Sequence, residues 1–199
     1  MRLFSGYFAP DRQKELLAAV DAVVAQAPFF RPTMPRSGKP FSVEMTNCGT
    51  LGWVADVAGY RYQPRHPETD RPWPPIPAML MAVWRAVGAP EVPEACLINR
   101  YGAGARMGLH QDRDEDAFDA PVVSVSLGDT AVFRFGGTTR RGKTQSIRLQ
   151  SGDVLVFGGP ARLMYHGVDR TLAGSSTVLP SGGRLNLTLR RVHPWGETS

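Results

Sequence analysis

The sequence predicts a mainly β protein, a sandwich or barrel flanked by helices and built as one domain. Three features carry that expectation. Short strand patterns follow one another after Pro93, separated by Gly and Asp turns; two amphipathic helical stretches precede them; and 199 residues suffice for one sizeable core but are short for two. Hydrophobic residues at 42% and charged residues at 21% exclude disordered and collagen-like classes.

Taken in order, Asp11–Gln26 reads as a helix, with Leu16, Leu17, Val20, Val23 and Val24 on one stripe and Pro28 just past its end. From Phe29 to Pro75 no period is sustained. Prolines, glycines and isolated aromatics (Phe41, Trp53, Tyr60, Tyr62, Trp73) alternate with polar residues, the pattern of short strands and loops that form a lid or binding surface. A second helix is predicted over Ile76–Val87, where Leu80, Val83, Trp84 and Val87 recur at helical spacing before Gly88. Strands are predicted over Ala95–Tyr101, Pro121–Leu127, Ala131–Phe135, Ser146–Leu149, Val154–Phe157 and Arg184–Arg191, and Val192–Ser199 reads as a frayed end.

The net charge is +5, and among 23 basic residues only Lys14, Lys39 and Lys143 are lysines. The arginine fork pairs bidentately with phosphate or carboxylate, so the bias suits a polyanionic partner or an anionic small substrate; GC-rich codon usage would produce the same bias. Cys48 and Cys96 are too few for a disulfide framework or a zinc ribbon. No stretch approaches the roughly 20 apolar residues of a membrane span, and Met1–Gly6 lacks the apolar run of a signal peptide, so a cytoplasmic protein is expected.

The sharpest local signal is His110-Gln111-Asp112. In extended structure an imidazole and a carboxylate two residues apart lie on the same side of the chain and can share one metal. His166 offers a third ligand, and two histidines with one carboxylate make the facial triad of non-haem Fe(II) oxygenases. Alone, H-x-D also arises in solvated loops. A second signal is Arg184-Leu185-Asn186-Leu187-Thr188-Leu189-Arg190, whose alternation sends Arg184, Asn186, Thr188 and Arg190 to one face and three leucines to the other. Such a face either meets water or clamps a small dicarboxylic acid, one arginine fork per carboxylate. Leu97, Asn99 and Tyr101 align in the same way on their own strand.

Together and in this order, Asn99-x-Tyr101, His110-x-Asp112, His166 and Arg184-x-Asn186-x-x-x-Arg190 resemble the iron and 2-oxoglutarate-dependent dioxygenases of the AlkB family, most closely its bacterial alkylation-repair members. Leu97–Tyr101, Leu109–Asp112, Val122–Gly128 and Phe135–Gly137 extend the likeness. It reaches upstream through Thr46–Gly49, Gly52-Trp53 and Gly59-Tyr60, the lid region in that family. The resemblance implies a double-stranded β-helix (jelly roll) over residues 94–192, with helices and a nucleotide-recognition lid over 1–93, in a single catalytic domain of 1–199. It implies that His110, Asp112 and His166 bind Fe(II). Leu97, Asn99, Tyr101, Arg184, Asn186 and Arg190 would serve 2-oxoglutarate, with Arg184 on its distal carboxylate and Arg190 and Asn99 at the iron-chelating end.

The implied activity is oxidative demethylation of N-alkylated nucleobases such as N1-methyladenine and N3-methylcytosine, releasing succinate, CO2 and formaldehyde. The implied partner is alkylated DNA, single strands preferred because unstacking a base costs a few kcal/mol, or RNA, acted on by a monomer. Trp53 would stack on the base opposite His110, Tyr60 would lie near the backbone, Asp114 would meet the cationic edge, and Arg113 and Arg148 are candidates for phosphate. Arg106, Arg140, Arg141, Lys143 and Arg162 flank the site in sequence as well. Phe157 stands where those relatives usually carry tryptophan, and Ser175–Gly183 reads as a slightly longer loop. His66 and His193 fall outside the ligand pattern. An oxygenase acting on RNA or protein, and a non-catalytic basic nucleic-acid-binding module, are the alternative readings.

Overall fold

The computed structural model describes residues 1–89, 91–194 and 196. Its strands form antiparallel pairs throughout. A six-stranded sheet has the order β1 (Arg2–Phe4), β10 (Val154–Phe157), β7 (Val122–Gly128), β12 (Arg184–Arg190), β5 (Ala95–Tyr101), β2 (Glu44–Gly49). A four-stranded sheet has the order β6 (Met107–His110), β11 (His166–Leu172), β8 (Thr130–Gly136), β9 (Thr144–Leu149), and β3 (Gly52–Asp56) with β4 (Gly59–Gln63) makes a separate hairpin. This is the jelly roll expected of the sequence.

The alternation of β12 decides how the layers assemble. Leu185, Leu187 and Leu189 join Cys96, Ile98, Val123, Val125 and Leu127 in a core closed by α1 (Pro10–Gln26) and α2 (Ala78–Ala86) through Leu16, Val20, Leu80 and Trp84. The opposite face of the sheet looks toward the smaller sheet, where Leu97, Tyr101, Leu155 and Phe157 meet Ala131, Phe133, Leu149 and Val168. Both faces of the six-stranded sheet are therefore buried, and the polar face of β12 does not meet water: Arg184 is 1% exposed and Arg190 6%.

Several elements depart from the sequence expectation. β1, β6 and β11 were not foreseen, because β1 and β6 are only three and four residues long and β11 reads His-Gly-Val-Asp-Arg-Thr-Leu, without strong alternation. Thr46–Gly49 belongs to β2 rather than to the lid: Thr46, Asn47 and Cys48 are fully buried, and β2 pairs with β5 along its whole length. With β1 paired to β10, the N-terminal half thus supplies two strands of the main sheet, and the lid proper is the β3–β4 hairpin. α2 begins at Ala78, two residues after the expected start, because Pro77 precedes it.

The expected frayed tail is tied down at its start. Glu94 Oε2 accepts from the Val192 and His193 backbone N–H groups at 2.8 and 2.9 Å; Trp195 and residues 197–199 of that tail lie outside the described residues. His66 is a buried structural residue. Its Nδ1 accepts from the Glu68 and Thr69 N–H groups, which leaves its Nε2 to donate to Pro28 O at 2.8 Å. The Ser175–Gly183 loop is held by Asp129, which accepts from the Ser176 and Gly183 N–H groups.

The pairing of β6 with β11 sets His166 directly opposite His110. Gly167 permits this approach, since a Cβ there would lie 2.5 Å from Met107 O and 2.8 Å from Gly108 O, both backbone atoms that cannot yield without moving the strand. Gly167→Ala is expected to destabilise the protein by about 1–3 kcal/mol in urea denaturation, whereas Gly137→Ala, at an exposed position open to solvent, should be neutral.

Candidate metal centre and cofactor cavity

His110 ends β6, His166 begins β11, and Asp112 lies in the loop just after β6. One ligand atom from each lies within 4.8 Å of the others. The strand does not continue past His110, so the loop, rather than strand alternation, brings Asp112 and Asp114 round. Asp112 Oδ1 is 3.6 Å from His110 Nε2 and 3.9 Å from His166 Nε2. Each Nδ1 lies near a backbone carbonyl, His110 at 2.9 Å from Gly108 O and His166 at 3.0 Å from Met164 O. Donation there leaves both Nε2 lone pairs for a metal. Phe157 packs edge-on against the His166 ring at 4.9 Å.

Arg190 takes the other oxygen of Asp112, with Nε and Nη2 donating to Oδ2 at 3.1 and 2.8 Å. Burial alone would raise the Asp112 carboxyl, but Arg190 first, then His110 and His166, hold it well below the usual carboxylate range. Burial pulls the His166 imidazole down to about 4, against the attraction of Asp112. His110 is raised, because Asp112 outweighs the effect of burial. Two Nε2 atoms and one carboxylate oxygen thus converge, a donor set suited to Fe(II) with positions left open.

Beside this site opens a cavity of about 900 Å³, lined among others by Leu97, Asn99, Tyr101, Asn186 and Arg190. Two buried polar atoms here have no hydrogen-bond partner, Asn99 Oδ1 and Arg184 Nε. Arg184 faces Tyr101 across the β12–β5 pair, donates Nη2 to Ser126 Oγ at 2.9 Å, and makes no ion pair among the described residues. Burial pulls its guanidinium down to about 10, opposed by Tyr101 and Asp153, and pushes Tyr101 up to about 12. A fully buried cation with a spare N–H is the environment an anionic carboxylate would complete, so the residues fit 2-oxoglutarate. Arg184 is not itself part of the cavity wall, whereas its cross-strand partner Tyr101 is. Asn186 is held within the polar stripe, donating to Ser124 Oγ at 2.7 Å and accepting from Thr188.

Arg190 lines the cavity and also holds Asp112 through Nε and Nη2, with Nε 3.4 Å from Glu115. Arg162, expected near phosphates, is 2% exposed and turned inward, donating to Asp112 O at 2.6 Å, Ala120 O at 3.1 Å and Glu115 Oε2 at 3.1 Å. Arg148 is exposed on β9 and lies outside the cavity wall, whereas Arg106, Arg113, Arg134 and Arg140 line it.

At the mouth, Trp53 stacks on Tyr60 with ring centroids 5.5 Å apart and planes at 18°, and it meets Phe41 edge-on. The Asn47 side chain fixes the backbone of Trp53 by donating to its C=O and accepting from its N–H, both at 3.0 Å. The Trp53 indole Nε1 donates to Asp114 Oδ2 at 2.8 Å, so Asp114 is engaged by the lid rather than free. Sequence reasoning missed Glu115, Tyr62 and Asn47. Glu115 sits in the run Arg113-Asp114-Glu115-Asp116, which reads as solvated charge, yet it is 3% exposed.

The sequence matches the 2OG-Fe(II) oxygenase superfamily over residues 1–190. It is 58% identical over 183 residues, 90% of this chain and 82% of the other, to the alpha-ketoglutarate-dependent dioxygenase AlkB homolog of Caulobacter vibrioides. A shorter likeness, 43% over 108 residues, covers 49% of this chain and 24% of the DNA N(6)-methyladenine demethylase ALKBH1D of Arabidopsis thaliana. The solved structure of OsALKBH1 superposes with a TM-score of 0.81 at 30% identity, covering 96% of this chain and 97% of that one. The family match spans the strands that build the triad and the buried arginines, and on that ground the chain belongs to the 2OG-Fe(II) oxygenase superfamily.

Proposed function

We propose that this dioxygenase removes alkyl groups oxidatively from nucleobases in DNA or RNA, acting as a monomeric cytoplasmic enzyme whose residues 1–199 form one catalytic domain. The observation that carries the reading is the mouth of the cavity. An aromatic pair, Trp53 on Tyr60, and the Asp114 carboxylate line the same cavity as His110, Asp112 and His166, together with Arg106, Arg113, Arg134 and Arg140. That combination offers stacking to a base, a carboxylate to its edge and cations to its phosphates. Relatives named as nucleic-acid demethylases support it.

Bound iron with 2-oxoglutarate and oxygen supplies oxidation of an N-methyl carbon, whose hydroxymethyl product leaves as formaldehyde while the co-substrate leaves as succinate and CO2. The protein's own groups do the rest. His110, Asp112 and His166 hold the metal, and Arg190 keeps Asp112 ionised and turned so that Oδ1 faces the histidines. Arg184 and Tyr101 receive the distal carboxylate of 2-oxoglutarate. Asn99, Asn186 and Leu97 shape the remainder of its bed. Trp53 and His110 sandwich the base, Asp114 faces its edge, and Tyr60, Arg113 and, at longer range, Arg148 meet the strand. A base has to leave its stack to reach such a cavity, so single strands are the better substrates.

The test is incubation with iron, 2-oxoglutarate and matched single- and double-stranded methylated DNA and RNA oligonucleotides, with mass analysis of each base. Demethylation matched by succinate release is expected; succinate release without change in any base would sink the nucleobase reading. Alanine at His110, Asp112 or His166 should abolish turnover while far-UV circular dichroism stays native, because each removes one of only three protein ligands.

Arg184→Ala should weaken 2-oxoglutarate binding by about 2–5 kcal/mol, the cost of leaving one member of a buried charge pair alone. Titration calorimetry with 2-oxoglutarate on the metal-loaded protein would show this, and an unchanged affinity would contradict the assignment.

Lesion choice should follow Asp114. N1-methyladenine and N3-methylcytosine are cationic near neutral pH, so Asp114→Ala should lose them disproportionately to the neutral N1-methylguanine and N3-methylthymine. Trp53→Phe keeps a stacking ring but removes the N–H that holds Asp114. It should shift the same ratio in turnover assays, whereas a purely stacking role would lower all four lesions alike.

A further inference from the structure

The loop that follows Asp112 touches the lid at two successive residues. Trp53 and Tyr62 are directly opposed across the β3–β4 hairpin, so their side chains leave the same face. The Trp53 indole donates to Asp114, and the Tyr62 hydroxyl donates to Glu115 Oε1. Glu115 is 3% exposed, and its other connections run inward, from Arg162 Nη2 to Oε2 at 3.1 Å and from Arg190 Nε to Oε1 at 3.4 Å. Both arginines also grip Asp112, Arg190 at its carboxylate and Arg162 at its backbone carbonyl. A continuous chain of buried polar contacts therefore leads from a lid strand to a metal ligand. The proposed contacts to base and co-substrate do not use Tyr62 or Glu115.

We infer that Glu115 is a positioning residue that couples docking of the β3–β4 hairpin to the metal site, with Tyr62 as its sensor on the lid. With the hairpin seated, Tyr62 takes up part of the Glu115 carboxylate, and the arginines divide their hydrogen bonds between Glu115 and Asp112. With the hairpin lifted, Glu115 has a free oxygen close to Arg190 Nε, the same group that holds Asp112 Oδ2. It then competes with Asp112 for that donor, and the ligand loosens. A lid seated on its base thereby favours a well-held metal, and by linkage a bound metal favours a seated lid.

This rests on the assignment of His110, Asp112 and His166 as ligands, which wild-type protein tests by itself. Co(II) is titrated into the full chain in the presence of 2-oxoglutarate and followed by its ligand-field absorbance. Failure of the wild type to bind would sink the ligand assignment. Given binding, Tyr62→Phe, which removes one hydroxyl bonded to Glu115 rather than to a proposed ligand, should weaken Co(II) affinity at least about fivefold. Glu115→Gln should leave it near wild type and, in the double variant, remove most of the Tyr62→Phe loss, because a neutral amide no longer competes with Asp112 for Arg190 Nε. Hydrogen exchange of residues 52–63 should slow on Co(II) binding in the wild type and not in Tyr62→Phe. A merely structural Tyr62 would lower the melting temperature and leave both metal readouts alone. Co(II) affinity within about twofold of wild type in Tyr62→Phe, or exchange protection that survives in that variant, would overturn the coupling even if Glu115→Gln fails to fold.

Discussion

The structure depends on a strand that is buried on both faces yet charged on one. β12 sits between β5 and β7 in the six-stranded sheet, with its leucines against the helices and Arg184, Asn186, Thr188 and Arg190 between the sheets. An unpaired buried guanidinium is costly, so each arginine has to find anions or acceptors inside. Arg190 finds Asp112 and Glu115. Arg184 finds a serine hydroxyl and a carbonyl, and keeps one N–H without a partner. The contrast between the two separates function from scaffold. One arginine is satisfied by the protein and holds Asp112, and the other is left incomplete where an anionic co-substrate would complete it.

The smaller sheet contributes the second condition. His110 and His166 meet only through the β6–β11 pair, because sequence places them 56 positions apart and the cross-strand register makes their rings neighbours, with centroids 4.5 Å apart. The sheets thus divide the work. The larger carries the residues proposed for the co-substrate on β5 and β12, the smaller brings His110 and His166 together, and the loop after β6 carries Asp112 between them to meet Arg190. The hairpin β3–β4 belongs to neither sheet and closes the third side through Trp53 and Tyr62, so it reports to the site through side chains rather than through a backbone ladder.

Strong periodicity marks an element in the sequence, and weak periodicity does not. Helix α1 and strands β5, β7, β8, β10 and β12 stand within a few residues of where spacing predicts them. β6 is too short to show a period, and β11 carries Asp169, Arg170 and Thr171 in succession, so neither announces itself. Charge was the harder signal. Arg113-Asp114-Glu115-Asp116 reads as one solvated run, but its members separate in the fold: Arg113 and Asp114 remain exposed at the mouth, while Glu115 turns inward between two arginines. Arg162 likewise looks like any other arginine of an arginine-rich chain until its burial is known.

By itself the sequence determined the fold class and the family, and it marked the residues proposed as metal ligands and as the co-substrate face. Those depend on residue type and on spacing along one strand or one short loop, and such order survives in a linear reading because side-chain direction in a strand repeats every two residues. Which charges are buried, which arginine is satisfied, and how the lid reaches the metal were decided only by tertiary structure. Tyr62, Glu115, Arg162 and Arg190 are separated by tens of residues, and their interaction comes into being only when water is excluded between them. A charge in solution needs no partner, whereas a charge in the interior requires one, and its identity is set by packing rather than by chain order.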